Sequence, residues 1–190
     1  SEYATLNYLP PYVKCAGKYL RFLIANEANM TPKHLSQSIW AMGRLKLSEP
    51  FLIQEMGEIA SRSCATLNAR EVANIVWGLS KVEYCKPDII STLVQHVNNS
   101  SRLAKQCTAQ EAANMLFALG KLHICEKELF ASLSCILRNR LDEATSQAIA
   151  NALWAHEVVD IAPPPELLSS WAHDRLGIAV LGINTESNSY

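Results

Sequence analysis

Residues 108–122 read TAQEAANMLFALGKL, and this stretch decides the fold because it occurs four times in related form. Thr31 to Trp40 (TPKHLSQSIW), Asn68 to Trp77 (NAREVANIVW), Thr108 to Phe117 (TAQEAANMLF) and Thr145 to Trp154 (TSQAIANALW) align without gaps, at intervals of 37, 40 and 37 residues. Each opens on Thr or Asn, whose side-chain oxygen accepts a hydrogen bond from an otherwise orphaned backbone N–H at a helix start. Glu71 and Glu111 stand three residues after their caps, the spacing of a capping box. Pro32 falls on the first helical position, where a missing N–H costs nothing.

A second helix follows each of these after a short polar turn. The second helices open near Pro10, Pro50, Pro87, Lys127 and Pro165, spaced by 40, 37, 40 and 38 residues. Their apolar residues recur at helical spacing, as in Leu52, Ile53, Met56 and Ile59. No segment alternates with period two for long enough to make a sheet. One helix pair cannot bury its apolar stripe alone, so neighbouring pairs must stack. The expected fold is all-α: a right-handed α-solenoid of helix-turn-helix repeats of 37–40 residues. It spans residues 1–176, an orphan second helix plus four full pairs, with 177–190 as an unassigned C-terminal tail. The longest linker, near Asn98 to Cys107, is expected to absorb the three-residue insertion of one repeat. Both ends of such a stack leave apolar surface open, so neighbouring protein subunits are expected there.

Composition narrows the function. The chain has 190 residues, is 49% hydrophobic and carries a net charge of −1, which does not suit a protein that coats nucleic acid indiscriminately. The charge is uneven: residues 1–105 hold 12 Lys/Arg against 8 Asp/Glu, and residues 106–190 hold 5 against 10. No run of 18 apolar residues occurs, so no membrane span is expected. Six cysteines show no metal-ligand spacing, and Cys85 and Cys125 share a repeat column with Ser48 and Ala162, which suggests a small buried side chain. His34, His96, His123, His156 and His173 have no nucleophile or carboxylate at motif spacing, and there is no glycine-rich phosphate loop. The chain reads as a binding surface and not an enzyme, with no catalytic residue, metal or cofactor assigned.

Advancing about 100° per residue from each cap separates two faces of the first helix. Leu35, Ser38, Ile39, Met42 and Leu45 form the core side of the first copy, as do Val72, Ile75, Val76, Leu79 and Val82 in the second. The opposite side reads Lys33, Gln37, Trp40, Arg44; then Arg70, Asn74, Trp77, Lys81; then Gln110, Asn114, Phe117, Lys121; and finally Gln147, Asn151, Trp154, Val158. Stacking aligns these into rows of cations, amides and rings, the mixture that holds single-stranded nucleic acid. Arg44, Lys81 and Lys121 are the candidates for phosphate. The varying positions Lys33 and His34, Arg70 and Glu71, Gln110 and Glu111, and Gln147 and Ala148 are the candidates for reading sequence. The rings have a second reading as packing between helices, because small residues flank them (Ala73 and Ser80, Ala113 and Gly120). The recurring Asn can equally tie one repeat to the next.

The run TAQEAANMLFALGKL resembles the first helix of octotricopeptide repeats, whose pattern is close to SPQDLANTLWALAKLG. NIVWGLSKV (Asn74 to Val82) and NALWAHEVV (Asn151 to Val159) look like the same element, and Pro163 to Glu166 is similar to that family's second-helix start. The 37-residue period is similar to that of heptatricopeptide repeats. The resemblance covers about residues 10–176. It implies an α-solenoid acting on organellar RNA, either a transcript or ribosomal RNA, in mitochondria or alternatively chloroplasts. His156, Glu157 and Val158 depart from the family's apolar–small–basic run, so the last repeat is expected to add little to phosphate binding. The low overall charge favours a fixed subunit of a larger assembly, such as a mitochondrial ribosome, over a free transcript-specific factor.

Overall fold

The computed structural model describes residues 11–84 and 86–176, so the expected helix start at Pro10 and the tail 177–190 lie outside the described residues. Within them all regular structure is helical: α1 (Pro11–Ala25), α2 (Pro32–Leu45), α3 (Pro50–Arg62), α4 (Ala69–Lys81), α5 (Pro87–Asn99), α6 (Ser101–Gln106), α7 (Ala109–Lys121), α8 (Lys127–Arg138), α9 (Ser146–Val158) and α10 (Pro165–Leu176). Single 3₁₀ turns, Glu27–Asn29, Cys64–Thr66 and Leu141–Glu143, lead from a second helix into the next first helix. After α5 the three extra residues do not form the expected linker. They extend that turn into α6, capped by the Ser100 hydroxyl, which accepts from the Leu103 N–H at 3.3 Å.

The caps act as the sequence requires. Thr31 accepts from His34 N–H at 3.2 Å and Thr145 from Ala148 N–H at 3.1 Å. At Asn68 and Thr108 the exchange is reciprocal: the Glu71 and Glu111 carboxylates accept from the cap N–H groups at 2.9 and 3.0 Å. The other end of each first helix closes by a device that contains no glycine. Lys46, Glu83, His123 and Asp160 take positive φ, between 48° and 56°. The next residue then donates its N–H back to the last turn: Leu47 to Met42 O, Tyr84 to Leu79 O, Ile124 to Leu119 O and Ile161 to His156 O, at 2.9–3.1 Å. A left-handed residue with a Cβ costs about 1 kcal/mol. Here the cost is offset by driving the following apolar side chain inward; Leu47, Tyr84 and Ile124 are buried.

Pairs pack side by side. First helices neighbour one another in the order α2, α4, α7, α9, and second helices in the order α1, α3, α5, α8, with α10 against α9. The close approach in the first row comes from small residues. A Cβ added to Gly43 would lie 2.8 Å from Gly78 Cα, and one added to Gly120 would lie 2.7 Å from Ala155 Cα. Gly78 is held against the same helix one turn earlier as well, since a Cβ there would meet Ile39 O at 2.3 Å. The twelfth residue after one cap therefore rests on the tenth residue after the next, and Ser80 and Ala118, both fully buried, take these positions between α4 and α7. Second helices are joined at the surface by the ion pairs Arg21–Glu49, Glu58–Lys86 and Arg138–Glu166.

The core runs unbroken through both rows, from Leu20 through Ile39, Met56, Val76, Leu93, Leu116 and Phe130 to Leu167. The Ser48, Cys85, Cys125, Ala162 column is corrected: Ser48, Cys125 and Ala162 are exposed, because each follows the left-handed residue by two and points out of the turn (Cys85 lies outside the described residues). Among the described residues Cys107 is the deeply buried thiol, and burial pushes its pKa up to about 12.

His156 breaks the core pattern. It occupies the column of Met42, Leu79 and Leu119, is buried, and meets the edge of Phe130 with centroids 5.0 Å apart. Its Nδ1 lies 2.9 Å from the Ile161 carbonyl, which can only accept, so Nδ1 carries the proton. Nε2 then accepts from the Ser134 hydroxyl at 2.8 Å. Burial lowers the pKa below the ordinary 6.5, with the Ile161 carbonyl opposing. A depressed histidine pKa means the unfolded chain takes up the proton first, so stability is complete above the ordinary value and declines as pH falls below it. The melting temperature should therefore drop between about pH 7 and about pH 5. In His156→Leu/Ser134→Ala that part of the drop should vanish; an identical pH profile in thermal melts would refute the assignment.

Candidate functional site

The outward face of the first row carries the chemistry expected of it, in an arrangement the sequence alone does not give. Trp40, Trp77, Phe117 and Trp154 descend from α2, α4, α7 and α9 in turn. They form two stacked pairs: Trp40 with Trp77, centroids 6.2 Å apart at 28°, and Phe117 with Trp154, 5.1 Å apart at 29°. Between the pairs sits Lys81, with Nζ 5.3 Å from the centre of Trp77 and 4.3 Å from that of Phe117. Arg44 lies over Trp40, 5.5 Å from its centre. The result is a continuous row of cation, two rings, cation, two rings. The rings pack between repeats, as the second reading expects, and keep part of their surface open. Trp40 and Trp154 are 43% and 41% exposed, while Trp77 and Phe117 are half-buried.

The cations differ in freedom. Lys81 is half-buried, and burial first, then the charges of Lys121 and Lys46, hold its pKa below the ordinary lysine value. Lys121 pairs with Glu83 at 3.6 Å, so part of its charge is already answered across the turn. Beside Lys81 opens a cavity of about 580 Å³ between successive turns, lined by Lys46, Lys86, Glu83 and Tyr84 among others. Lys86 is tied to Glu58 on its rim. The Tyr84 hydroxyl is buried without a hydrogen-bond partner, and burial together with Glu58 pushes its pKa up to about 12.

The amide rows face each other along each helix. Gln110 Nε2 donates to Asn114 Oδ1 at 2.9 Å, and Gln147 Nε2 donates to Asn151 Oδ1 at 2.8 Å. The Thr145 hydroxyl reaches back to Gln110 Oε1 at 3.4 Å, tying α9's cap to α7. Asn74, Asn114 and Asn151 are half-buried, whereas Lys33, Arg70, Gln110 and Gln147 are exposed. His34 and Gln37 also line a groove between α1 and α2 at the N-terminal end of the stack. The structure thus gathers Arg44, Lys81 and Lys121 with the rings, sets Gln110, Asn114, Gln147 and Asn151 as coupled amide pairs, and sends His34 and Gln37 toward the stack's edge. Sequence reasoning missed the Lys81 bridge and the Lys121–Glu83 pair. Only the Trp77 half of the bridge had a signal, because residues four apart on a helix are neighbours; the Phe117 half crosses between repeats.

Among the described residues no cluster of His, Cys, Asp and Glu could hold a metal ion, and no helix is long and apolar enough to cross a membrane. No protein-family model matches the chain, and no curated protein does.

Trp77 touches a ring on one side and an ammonium on the other, whereas Trp154 has one ring neighbour. Trp77→Ala should cost about 2–3 kcal/mol, below a fully buried Trp→Ala because the ring keeps a solvent face. Trp154→Ala should cost about 1 kcal/mol. Denaturant titration of both variants checks the order, and equal losses would show that the Lys81 bridge contributes nothing.

Proposed function

We propose that this chain is an organellar RNA-binding helical-repeat protein, a right-handed α-solenoid of the octotricopeptide/heptatricopeptide kind. We assign it the role of a subunit holding ribosomal RNA in a mitochondrial ribosome or a related RNA-processing assembly. One observation carries this reading: Arg44 and Lys81 interleave with Trp40, Trp77, Phe117 and Trp154 in a single row, exposed at Trp40, Arg44 and Trp154 and half-buried between them. Cations meet phosphate, and flat rings at the row's exposed places take a base. The charges of Lys46 and Lys121 bear on half-buried Lys81, a setting that favours an anion beside it. The coupled amides of Gln110/Asn114 and Gln147/Asn151 keep donors and acceptors for base edges. Lys33, His34, Gln37, Arg70 and Asn74 complete the candidate surface. Mitochondrial residence, with the chloroplast as alternative, rests on the family resemblance, and fractionation of the native protein decides it.

Charge reversal tests the row. Arg44→Glu/Lys81→Glu/Lys121→Glu should lower affinity for a short single-stranded RNA by about tenfold or more at moderate salt, with the helical signal intact. The dependence of affinity on salt should flatten in step. Lys121→Glu alone should lose less than Lys81→Glu, because Glu83 already answers Lys121. Salt-insensitive affinity in the unaltered protein would end this reading.

A second reading is a protein scaffold in an organellar complex without RNA contact. It is favoured by the large apolar side chains exposed at both ends: Tyr19 and Phe22 on α1, Leu168 and Trp171 on α10. A scaffold should stay with its native complex after nuclease digestion, and an RNA-held subunit should leave it.

A further inference from the structure

Two positions of the repeat take equivalent places on either side of each furrow between successive turns. One is the left-handed residue, fifteenth after its first-helix cap; the other is the thirteenth residue after the following cap. Across the second furrow they are Glu83 and Lys121, which pair at 3.6 Å. Across the third they are His123 and Val158, and the valine leaves nothing to pair. Across the first they are Lys46 and Lys81, two cations where the next furrow has one charge of each sign. Both line the cavity of about 580 Å³, well within the roughly 300–1,000 Å³ of small-ligand sites. The charge of Lys46 bears on Lys81, and among the described residues neither lysine has a carboxylate within ion-pair distance. The other charged residues of the lining are engaged, Lys86 by Glu58 and Glu83 by Lys121.

We propose that this cavity binds one nucleotide, its phosphate held between Lys46 and Lys81 and its flat base laid against Leu47, Ile53, Val82 and Tyr84. The phosphate takes the part that the Glu83 carboxylate plays in the next furrow, and it relieves the repulsion between two half-desolvated cations. The walls select the rest of the ligand. Leu47 and Tyr84 are buried, Ile53 and Val82 half-buried, and all four line the cavity, so an apolar face suits it and a bare inorganic anion leaves it unfilled. Tyr84 presents its ring, since its hydroxyl is buried against Gly57, where an added Cβ would lie 2.6 Å away. Lys81 belongs to both the cavity and the row of rings, so a nucleotide turned out of a strand on that row can enter. That source rests on the RNA-facing reading of the row; the chemistry of the cavity does not.

Adenosine monophosphate added to the whole isotope-labelled protein should shift the amide resonances of Leu47, Val82 and Tyr84 saturably. Adenosine and inorganic phosphate should each bind about tenfold or more weaker, because each fills half of the site. Lys46→Glu rebuilds the Glu83–Lys121 arrangement in the first furrow and should weaken the nucleotide by about tenfold or more. Its melting temperature should hold or rise, since Glu83 shows that this left-handed place accepts glutamate. Gln54→Trp, which fills the cavity from an exposed position of its lining, should give the same loss. A short single-stranded RNA that displaces the nucleotide, and itself weakens with Lys46→Glu, marks a strand as the source; one that binds alongside it marks a free nucleotide. The proposal is overturned by any of four results: no saturable shift, shifts confined to Trp40 and Trp154, binding indifferent to Lys46→Glu, or phosphate binding as tightly as the nucleotide. Nucleotide binding without RNA binding sinks the RNA reading and leaves this site standing; the reverse sinks this site alone.

Discussion

Backbone-level contact between successive first helices is the constraint on which the rest of the molecule depends. Gly43 against Gly78 and Gly120 against Ala155 leave no room for one methyl group, so each helix is keyed to its neighbour in position and rotation. Alanine in place of Gly78 would gain up to about 1 kcal/mol of helix propensity. It would also set a methyl 2.3 Å from the Ile39 carbonyl oxygen, and in a packed row the clash outweighs the propensity. Because this contact fixes rotation, the ninth residue after each cap always emerges on the same side, and four aromatic rings come into one file. The core contributes the bulk of the stabilising burial, but the small residues decide which way the outward face looks.

How much of this was legible follows from how local each feature is. Helix starts were readable because a cap is a short-range bond between Thr31, Asn68, Thr108 or Thr145 and an amide three residues on. The endings were not. A left-handed residue normally announces itself as Gly, and here Lys46, Glu83, His123 and Asp160 take that role. The signal was the apolar residue that follows each, whose burial holds the turn. The short helix Ser101–Gln106 was hidden by its length, since six residues carry too little periodicity to separate helix from loop. The Ser48/Cys125/Ala162 column looked buried because its members are small, a trait that exposed turn positions share. In the candidate site the residue types were readable and their partners were not. Which ring stacks on which, and that Glu83 reaches Lys121 from another repeat, depends on the distance between helices 37–40 residues apart.

Charge is distributed along the same axis as the stacking. The charged residues of α1 and α2 are all basic, while beyond α8 the surface holds Asp142, Glu143, Glu157, Asp160 and Glu166. Second helices bridge this gradient locally, each ion pair joining neighbours and not distant parts of the chain. The outward row runs along this gradient from α2 to α9, and partway along it Lys81 feels both Lys46 and Lys121. His156 and Ser134 place a neutral polar pair in the last interface, at a column where the earlier repeats have Met42, Leu79 and Leu119.

The keyed contact between first helices also sets a stride. Helix axes brought together by glycine and alanine lie about 8 Å apart, more than twice the roughly 3.4 Å rise between stacked bases in a helical strand. A polymer laid along the file cannot keep its own units in a closed stack and meet every repeat in step. It must open, presenting one unit per helix with its neighbours splayed, or skip. The small residues at these contacts thus set the spacing that any linear ligand lying along the file would meet.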